Sequence, residues 1–327
     1  MSNVKALLIG GAGRTGTNVL KDILACHPGA LALPFESRFT VDPDGVAHTL
    51  KSLRDGWTPF QGEKCLERHL AFLRRLGRRS LPDRLSILGD QLLKKSGIAA
   101  QIRPYSEWEL EKHFPGYSQY VDELEKDLAF IKYKGIWPGT RPNLFQKPLV
   151  IPHSDIEQKA TKAFQNFLFK IYSEALKKHK KSFYVDDNTF NALYADELLR
   201  VMPGAKLINV VRDPRDATSS YLRQRWTPSE IPQAAQYHKE VVNTWRNLRN
   251  TIDSRNYIEI RLEDLTSNPG LILQKICDLS EIPFSDQLLQ ISLNKANIGR
   301  WAQDIPEEWH PWLNDTFEDI LKDYGYN

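Results

Sequence analysis

The sequence predicts an α/β fold, with a mostly parallel central sheet flanked by helices. Residues 4–10 and 206–211 are short apolar runs rich in branched side chains, as expected for strands that are buried on both faces. Each run is followed by a turn and then by a segment with helical periodicity. Strand-like and helix-like segments alternate again after residue 155, which is typical of α/β proteins.

The first elements are a strand, a turn, a helix and a second strand. The strand at 4–10 leads into a glycine-rich turn at 10–16. The helix predicted over 17–27 has apolar side chains on one face and is stopped by Pro28. Residues 31–33 are the second, short strand. This order is that of the start of a doubly wound sheet.

A less regular stretch, residues 34–155, is predicted to be a helical and loop insert within a single domain that spans residues 1–327. Helices are predicted at 63–77, 106–114 and 117–130. Residues 131–155 contain four prolines and are predicted to form a loop. Because connecting segments often carry binding residues, we expect the insert to contact the substrate.

Regular elements return in the second half of the chain. Asp213 is a favourable N-cap for a helix that starts at Pro214, since proline is preferred at the first helical position. Strands are predicted at 182–185, 206–211 and 257–261. Helices are predicted at 156–179, 191–201, 214–225, 232–254, 269–280 and 314–323. These elements complete the predicted alternation of strands and helices.

The composition is that of an ordinary globular protein. Of 327 residues, 44 are Lys or Arg and 41 are Asp or Glu, which gives a net charge of +3. This composition excludes disordered and membrane-spanning classes, and the charge is too small to indicate nucleic-acid binding. The three cysteines, Cys26, Cys65 and Cys277, form no zinc or disulfide pattern. Since no signal peptide is recognisable, we expect a cytoplasmic location.

Two segments depart from this overall charge balance. Residues 61–100 carry nine Lys or Arg against four acids, and residues 304–323 carry seven acids against one lysine. We expect the basic segment to be a solvated helical face. A second hypothesis is that it contacts an anionic acceptor or an anionic membrane surface.

The glycine-rich turn is predicted to bind an anion. Its sequence is Gly10-Gly11-Ala12-Gly13-Arg14-Thr15-Gly16-Thr17. It lies between a strand and a helix, where outward-facing N–H groups and the helix dipole attract a phosphate or a sulfate.

The turn is compared with three kinds of anion site. A dinucleotide site fits the Gly-x-Gly-x-x-Gly spacing that ends at Gly16, with Glu36 as the ribose-binding acid. A Walker A nucleotide site does not fit, because no lysine follows Gly16. In a phosphosulfate loop, Arg14 and the hydroxyls of Thr15 and Thr17 would add donors to the backbone N–H groups.

A second anion-binding module follows the strand at 206–211. Arg212 ends this strand, and Ser220 lies eight positions later in the next helix. A strand-end arginine, a helix N-terminus and a helical hydroxyl can converge on one dianion. Parallel strands end at the same edge of a sheet, so this module is expected to face the glycine-rich turn. The two modules together predict a ligand with two phosphate-like groups.

With both modules in place, the sequence resembles the sulfotransferases that use 3′-phosphoadenosine 5′-phosphosulfate (PAPS). Residues 7–39, LLIGGAGRTGTNVLKDILACHPGALALPFESRF, are similar to the strand, phosphosulfate loop and helix of that family. Residues 202–222, MPGAKLINVVRDPRDATSSYL, are similar to its 3′-phosphate motif. Two further likenesses are Glu36-Ser37-Arg38, which resembles the Glu-Thr-Arg of tyrosylprotein sulfotransferases, and Ile298-Gly299-Arg300-Trp301, which resembles a Gly-Arg-Trp motif.

The resemblance implies a P-loop NTPase-like sulfotransferase fold and a set of binding residues. The 5′-phosphosulfate would be bound by Gly13, Arg14, Thr15, Gly16, Thr17 and Asn18. The 3′-phosphate would be bound by Arg212 and Ser220, with Gly299 and Arg300 closing over it. Glu36 would be the catalytic base, with Arg14 and Arg38 as further catalytic residues. PAPS would be the sulfate donor, PAP (adenosine 3′,5′-bisphosphate) its product, and no metal would be required.

The expected acceptor is a hydroxyl group on a carbohydrate, a glycolipid or a small metabolite, and no nucleic-acid partner is expected. One departure from the family concerns the leaving group. Many members carry a lysine after the strand near residue 185, whereas this chain has Asp186-Asp187-Asn188 there. Two alternatives stay open, namely an NAD(P)-binding oxidoreductase and a PAP-binding protein without catalytic activity.

Overall fold

The structure is a computed structural model, and it describes residues 4–79, 81–96, 109–137, 146–291, 293 and 298–326. Its strands are β1 (Ala6–Gly11), β2 (Ala30–Ala32), β3 (Ala129–Gly135), β4 (Lys147–Pro152), β5 (Phe183–Asp187), β6 (Ala205–Val211) and β7 (Tyr257–Arg261). Its helices are α1 (Thr17–Ala25), α2 (Val46–Gly56), α3 (Pro59–Gly77), α4 (Leu81–Lys95), α5 (Leu110–His113), α6 (Tyr117–Leu128), α7 (Thr161–His179), α8 (Ala195–Val201), α9 (Pro214–Tyr221), α10 (Ile231–Arg249), α11 (Leu262–Ser267), α12 (Pro269–Ser280), α13 (Trp301–Asp304) and α14 (His310–Tyr324).

The chain divides into two units. The first unit consists mainly of residues 37–179 and contains helices α2 to α7 together with the antiparallel pair β3 and β4. The second unit consists of residues 4–36, 180–199 and 203–327 and contains the other strands. The insert predicted over 34–155 falls mostly within the first unit. Its contact with a substrate, and the single domain over 1–327, stay predictions.

The second unit is built on a five-stranded sheet with the order β2-β5-β1-β6-β7. Every neighbouring pair in it is parallel. Strand β1 lies at the centre, where Ile9 is level with Asp187 of β5 and Gly11 is level with Val210 of β6. Since all strands run the same way, the segments that follow β1, β5 and β6 emerge at one edge.

Apolar side chains on both faces bury this sheet. Helices α1 and α12 pack on one face, in a core that includes Leu7, Ile9 and Ile208 from the strands. Helices α10 and α14 pack on the other side around Phe317 and Ala235. Burying each large aliphatic side chain contributes about 1.5–3 kcal/mol, which explains why the branched runs in the sequence form the central strands. The predicted α/β class, with a mostly parallel sheet flanked by helices, is confirmed.

The prediction of a loop over 131–155 is wrong. Strands β3 and β4 pair there in an antiparallel two-stranded sheet. Pro148 and Pro152 lie in β4, which pairs only with β3 in this two-stranded sheet. Proline has no N–H group to donate, and its position in an edge strand allows that missing donor to face the unpaired side. The other two prolines, Pro138 and Pro142, lie outside the described residues. Prolines therefore signalled an edge strand here rather than a loop.

Several predicted boundaries shift in the structure. The helix predicted over 156–179 begins with a π-helical turn at Ile156–Ala160. The helix predicted over 191–201 begins with a 3₁₀ segment at Thr189–Tyr194, capped by the side chain of Asn188, which accepts a hydrogen bond from the Phe190 N–H. The helix predicted over 214–225 ends at Tyr221.

Some helices differ more from prediction. Within 106–114 the structure has helix α5 over Leu110–His113, and residues 106–108 lie outside the described residues. Helices α2, α4, α11 and α13 were not predicted. None of the helices in the described ranges is both long enough and apolar enough to cross a membrane.

Candidate active site

The glycine-rich turn after β1 has an unusual backbone. Gly13, Arg14 and Gly16 all have positive φ, at 85°, 57° and 101°. Gly16 is the N-cap of α1 and supplies no side-chain hydrogen bond to the helix. The first N–H groups of α1 therefore lack a side-chain cap, which is the arrangement that binds anions at helix N-termini.

Both the space around Gly16 and its backbone conformation require glycine. A Cβ atom there would lie 2.7 Å from Cδ1 of Leu262, and the φ of 101° disfavours any L side chain. Arg14, in contrast, adopts a left-handed conformation without being glycine, which costs about 1–3 kcal/mol. Such strain is common at functional sites, which supports a functional role for Arg14.

The structure brings together three residues that the sequence placed in two separate modules. The Nε atom of Arg14 donates a hydrogen bond to Oγ of Ser220 at 3.0 Å. The Nη1 atom of Arg212 donates to the backbone carbonyl oxygen of Arg14 at 3.1 Å. Because β1 and β6 are neighbours in the sheet, the glycine-rich turn and the start of α9 form one continuous surface. Their roles in binding a donor stay predictions.

Positive charge is concentrated around Arg14. Partial burial lowers the pKa of Arg14, and the nearby positive charges of Arg212 and Arg223 lower this pKa further. The guanidinium groups repel one another because they are all positively charged, and partial desolvation leaves this repulsion less screened. A bound polyanion would relieve this repulsion, so the electrostatics of the turn favour an anionic ligand.

Two threonines of the turn are buried. Thr15 is 1% exposed, and its Oγ1 atom has no hydrogen-bond partner among the described residues. An unsatisfied buried hydroxyl costs about 1–3 kcal/mol, which a ligand oxygen placed beside it would offset. Thr17 is 5% exposed at the first position of α1, and Asn18 follows it with an exposed side chain.

Asp216 of α9 binds the segment that precedes α13. Its carboxylate accepts hydrogen bonds from the N–H of Gly299 at 2.7 Å and from that of Trp301 at 2.8 Å. It also lies 3.7 Å from the guanidinium of Arg212. Burial raises the pKa of Asp216, while the N–H group of Trp301 and the charge of Arg212 oppose that rise. Asp216 thus connects Arg212 to residues 299–301.

Replacing Asp216 with alanine is expected to loosen residues 298–301. Each hydrogen bond to a charged group is worth about 1.5–3 kcal/mol, so amide hydrogen exchange at Gly299 and Trp301 should be roughly 10- to 150-fold faster. Mass spectrometry of exchanging peptides measures this directly. Asp315→Ala, which removes an exposed carboxylate from α14, is the matched control. Equal exchange in both variants would contradict this role.

The Arg300 side chain interacts with Asp304 rather than with Asp216. Its Nε atom lies 3.2 Å from a carboxylate oxygen of Asp304, which also pairs with Arg223 at 2.7 Å. The neighbouring Trp301 ring stacks against the guanidinium of Arg215, with 4.4 Å between the Cζ atom and the ring centroid. The backbone of Gly299 and Trp301 thus reaches α9, whereas the predicted closing role of Arg300 stays untested.

Glu36, the predicted base, lies four positions after the end of β2. Its negative charge is felt by Asp187 at the end of β5. Burial, together with the negative charges of Glu36 and Asp186, raises the pKa of Asp187 to about 7. Arg38, predicted to act beside Glu36, belongs to the first unit, where its Nη1 atom lies 3.6 Å from Oδ1 of Asp42.

Sequence reasoning did not identify two of these carboxylates as site residues. Asp216 belongs to the Arg212-Asp213-Pro214-Arg215-Asp216 run, which offered a signal for it. Asp187 lies in the run Asp186-Asp187-Asn188, whose only signal in the sequence is the absence of the family's lysine. Its burial depends on neighbouring strands, so no local pattern identifies it.

The order of the strands argues against a dinucleotide site. In a dinucleotide-binding sheet, the second strand lies directly beside the first and carries the ribose-binding acid. Here β5 lies between β1 and β2. Glu36, which follows β2, is therefore displaced by one strand from the position that the glycine spacing alone suggested.

The described part of the chain contains no group of three or more His, Cys, Asp or Glu side chains arranged to hold a metal ion. The charges that surround the glycine-rich turn come from arginine side chains.

A sulfotransferase family model matches residues 138–286 of the chain. This range contains β5, β6 and α9, and thus Asp187, Arg212, Asp216 and Ser220, and it ends before Gly299. The resemblance to sulfotransferases that the motifs indicated is confirmed by this match. None of the curated proteins matches the chain.

Several solved sulfotransferase structures are similar to the chain at low identity. The sulfotransferase domain of the olefin synthase of Synechococcus PCC 7002 is 16% identical, with 100% of this chain and 97% of that chain covered and a TM-score of 0.46. A sulfotransferase domain of the curacin biosynthetic pathway is 15% identical, with 100% and 99% covered and a TM-score of 0.44. Sulfotransferase STF9 of Mycobacterium avium is 14% identical, with 100% and 78% covered and a TM-score of 0.45.

Proposed function

We propose that this chain transfers a sulfuryl group from PAPS to a hydroxyl acceptor. The match of residues 138–286 to a sulfotransferase family model supports this proposal. The observation that carries the proposal is the contact between the two anion-binding modules. Arg14 of the glycine-rich turn donates to Ser220, and Arg212 donates to the Arg14 carbonyl. One ligand with two phosphate-like groups can therefore be bound by both modules.

The 5′-phosphosulfate is proposed to bind at the glycine-rich turn. The donors would be the backbone N–H groups around Gly16, the Arg14 guanidinium and the hydroxyls of Thr15 and Thr17, with Gly13 and Asn18 at the two ends of the turn. The unpartnered Oγ1 atom of Thr15 supports this assignment. A sulfate or phosphate oxygen placed there would complete its hydrogen bonding.

The 3′-phosphate is proposed to bind at the start of α9. Arg212 and Ser220 would hold it, and Gly299 and Arg300 would cover it. The hydrogen bonds from Gly299 and Trp301 to Asp216 support the proximity of that segment to Arg212. On donor binding, Ser220 would exchange its hydrogen bond from Arg14 for one to the phosphate.

The proposed reaction is an in-line displacement at sulfur. The acceptor oxygen forms a bond to sulfur while the bond from sulfur to the 5′-phosphate oxygen breaks, and PAP leaves. The hydroxyl proton of the acceptor moves to the carboxylate of Glu36. Arg14 and the N–H groups at the start of α1 would stabilise charge on the sulfuryl oxygens and on the leaving phosphate, as fixed donors do in phosphoryl transfer. Arg38, two positions after Glu36, is proposed to assist.

The proposed acceptor is a hydroxyl of a carbohydrate, a glycolipid or a small metabolite. A peripheral contact with an anionic surface is also proposed for the basic segment 61–100. In α4, which lies in this segment, Leu81, Leu85, Leu88 and Leu92 are exposed on one helical face. Apolar side chains together with basic residues support that contact, because both interact favourably with an anionic interface.

Calorimetry with PAP, NADP and ATP tests the donor assignment. We expect PAP to bind and NADP and ATP to bind far more weakly, because the two modules suit a 3′,5′-bisphosphate. If NADP binds and PAP does not, the proposal is overturned in favour of an oxidoreductase. Transfer of labelled sulfate from PAPS into a cell extract then tests catalysis. PAP binding without any transfer would instead support a PAP-binding protein that lacks activity.

A further inference from the structure

We infer that Tyr221 and His238 are positioning residues for the glycine-rich turn: His238 donates a hydrogen bond to the Tyr221 hydroxyl, which itself donates to the carbonyl oxygen of Ala12. The inference rests on the proposed function for the identity of the ligand that the turn binds. The hydrogen-bonded chain itself rests on the contacts and the burial of these residues. All three belong to the second unit.

Tyr221 connects the end of α9 to the start of the glycine-rich turn. It is the last residue of α9, its side chain is fully buried, and its hydroxyl donates to Ala12. The backbone of the turn lies so close that a Cβ atom at position 13 would be 2.9 Å from the Tyr221 hydroxyl oxygen. The glycine at that position therefore allows the turn to pack directly against this hydroxyl.

His238 of α10 is the second partner of the Tyr221 hydroxyl. Its Nδ1 atom lies 3.3 Å from the hydroxyl oxygen, and the two ring centroids are 5.5 Å apart. His238 is buried, and its ring also packs edge-on against Phe317 of α14, with 6.1 Å between the centroids. Packing between α10 and α14 thus fixes the imidazole, and the imidazole in turn holds the Tyr221 hydroxyl.

The direction of both hydrogen bonds follows from the chemistry of the groups. The Ala12 carbonyl can only accept, so the single hydroxyl proton of Tyr221 is donated to it. The hydroxyl oxygen then accepts from Nδ1 of His238, which must carry a proton. Burial, together with the positive charge of Arg212, lowers the pKa of His238 to about 3. The imidazole is therefore neutral at neutral pH, with its one proton on Nδ1.

This chain of hydrogen bonds bears on donor binding because Tyr221 directly follows Ser220. Ser220 accepts a hydrogen bond from Arg14 and is proposed to exchange it for one to the 3′-phosphate. The contact from Tyr221 to Ala12 needs no such exchange, because neither group is proposed to touch the ligand. It therefore keeps the turn against α9 while Ser220 changes its partner. Without it, the turn would be less well placed for the 5′-phosphosulfate.

Calorimetry with PAP tests the role of the Tyr221 hydroxyl. Tyr221→Phe keeps the buried ring and removes the neutral hydrogen bond to the turn, so PAP affinity should fall by roughly 2- to 12-fold. The matched control is Tyr117→Phe. Tyr117 of α6 is also fully buried, and its hydroxyl donates to the Leu73 carbonyl at 3.2 Å, within the first unit. PAP should bind to this control as it binds to the wild-type protein.

Two variants of His238 test the second hydrogen bond of the chain. His238→Leu removes the donor and should weaken PAP binding, as Tyr221→Phe does. His238→Asn should bind PAP nearly as well as the wild-type protein, because an asparagine amide can donate from about the place of Nδ1. Rescue by asparagine separates the loss of this donor from a general loss of packing.

Nitrogen NMR of the His238 ring supplies a readout that needs no ligand. In the wild-type protein we expect the Nδ1–H tautomer and a neutral ring over roughly pH 5 to 8. Tyr221→Phe should remove the preference for this tautomer, since the acceptor is gone, and Tyr117→Phe should leave it unchanged. An Nε2–H tautomer in the wild-type protein, or equal PAP affinities of Tyr221→Phe and Tyr117→Phe, would overturn the inference. The expected tautomer without any PAP binding would instead contradict the proposed function and leave the hydrogen-bonded chain standing.

Discussion

Alanine at position 14 is expected to weaken PAP binding by roughly 10- to 150-fold, which corresponds to about 1.5–3 kcal/mol for the loss of one hydrogen bond to a charged group. The physical reason is the position of the Arg14 guanidinium. It lies at the glycine-rich turn and contacts Ser220. Partial burial lowers the pKa of Arg14, and the positive charges of Arg212 and Arg223 lower it further. A polyanion bound there would interact with all three cations, and loss of one removes a direct contact.

Calorimetry with PAP measures this change, and sulfuryl transfer from PAPS should fall with it. The matched control is Arg255→Ala. Arg255 carries the same charge but precedes β7, at the opposite edge of the sheet, where it pairs with Asp253. PAP should bind to the control as it binds to the wild-type protein. An Arg14→Ala protein with undiminished PAP affinity would show that the glycine-rich turn is not where the nucleotide binds.

Glutamine at position 36 should reduce sulfuryl transfer by about 10²- to 10⁴-fold, the usual contribution of a general base. The amide cannot accept the hydroxyl proton of the acceptor, although its size and shape are nearly those of the carboxylate. PAP affinity should be unchanged, because Glu36 is not proposed to touch the nucleotide. This separation of turnover from binding distinguishes a base from a residue that merely supports the fold.

The measurement is initial-rate transfer of labelled sulfate from PAPS at saturating nucleotide, with PAP calorimetry on the same protein. Glu318→Gln serves as the control for removal of a glutamate charge at an exposed position. Full turnover in Glu36→Gln would assign proton acceptance to another group. In that case Asp187 would be the first residue to replace, because burial raises the pKa of its carboxyl to about 7.

The central sheet was predictable because its signals are local. A strand that is buried on both faces needs apolar side chains at consecutive positions, and the runs around Leu7 and Ile208 have them. The same holds for the cap of α9, where Asp213 accepts a hydrogen bond from the Arg215 N–H as expected. Arg14 and Ser220 were also found from short motifs, and the sheet order explains why they meet.

The elements that escaped prediction depend on distant partners. Strand β4 was obscured by Pro148 and Pro152, whose tolerance depends on pairing along one edge alone. The roles of Asp187 and Asp216 depend on which groups surround their carboxyls. Asp186 and Asp187 are consecutive aspartates on β5. Asp186 accepts a hydrogen bond from Asn191, whereas Asp187 has no hydrogen-bond partner in the described part of the chain, and the sequence does not distinguish the two.

The hydrogen bond between Arg14 and Ser220 joins positions 206 residues apart in the sequence. The hydrogen bond between Asp216 and Trp301 joins positions 85 residues apart. During synthesis the glycine-rich turn therefore leaves the ribosome long before its partners do. Contacts of such long range form late in folding, since the intervening chain must be ordered first. If PAP binds as proposed, it should not bind to nascent or truncated chains, and it should stabilise the folded full-length chain by mass action. The cellular nucleotide supply would then influence how long the completed protein survives, as well as how fast it works.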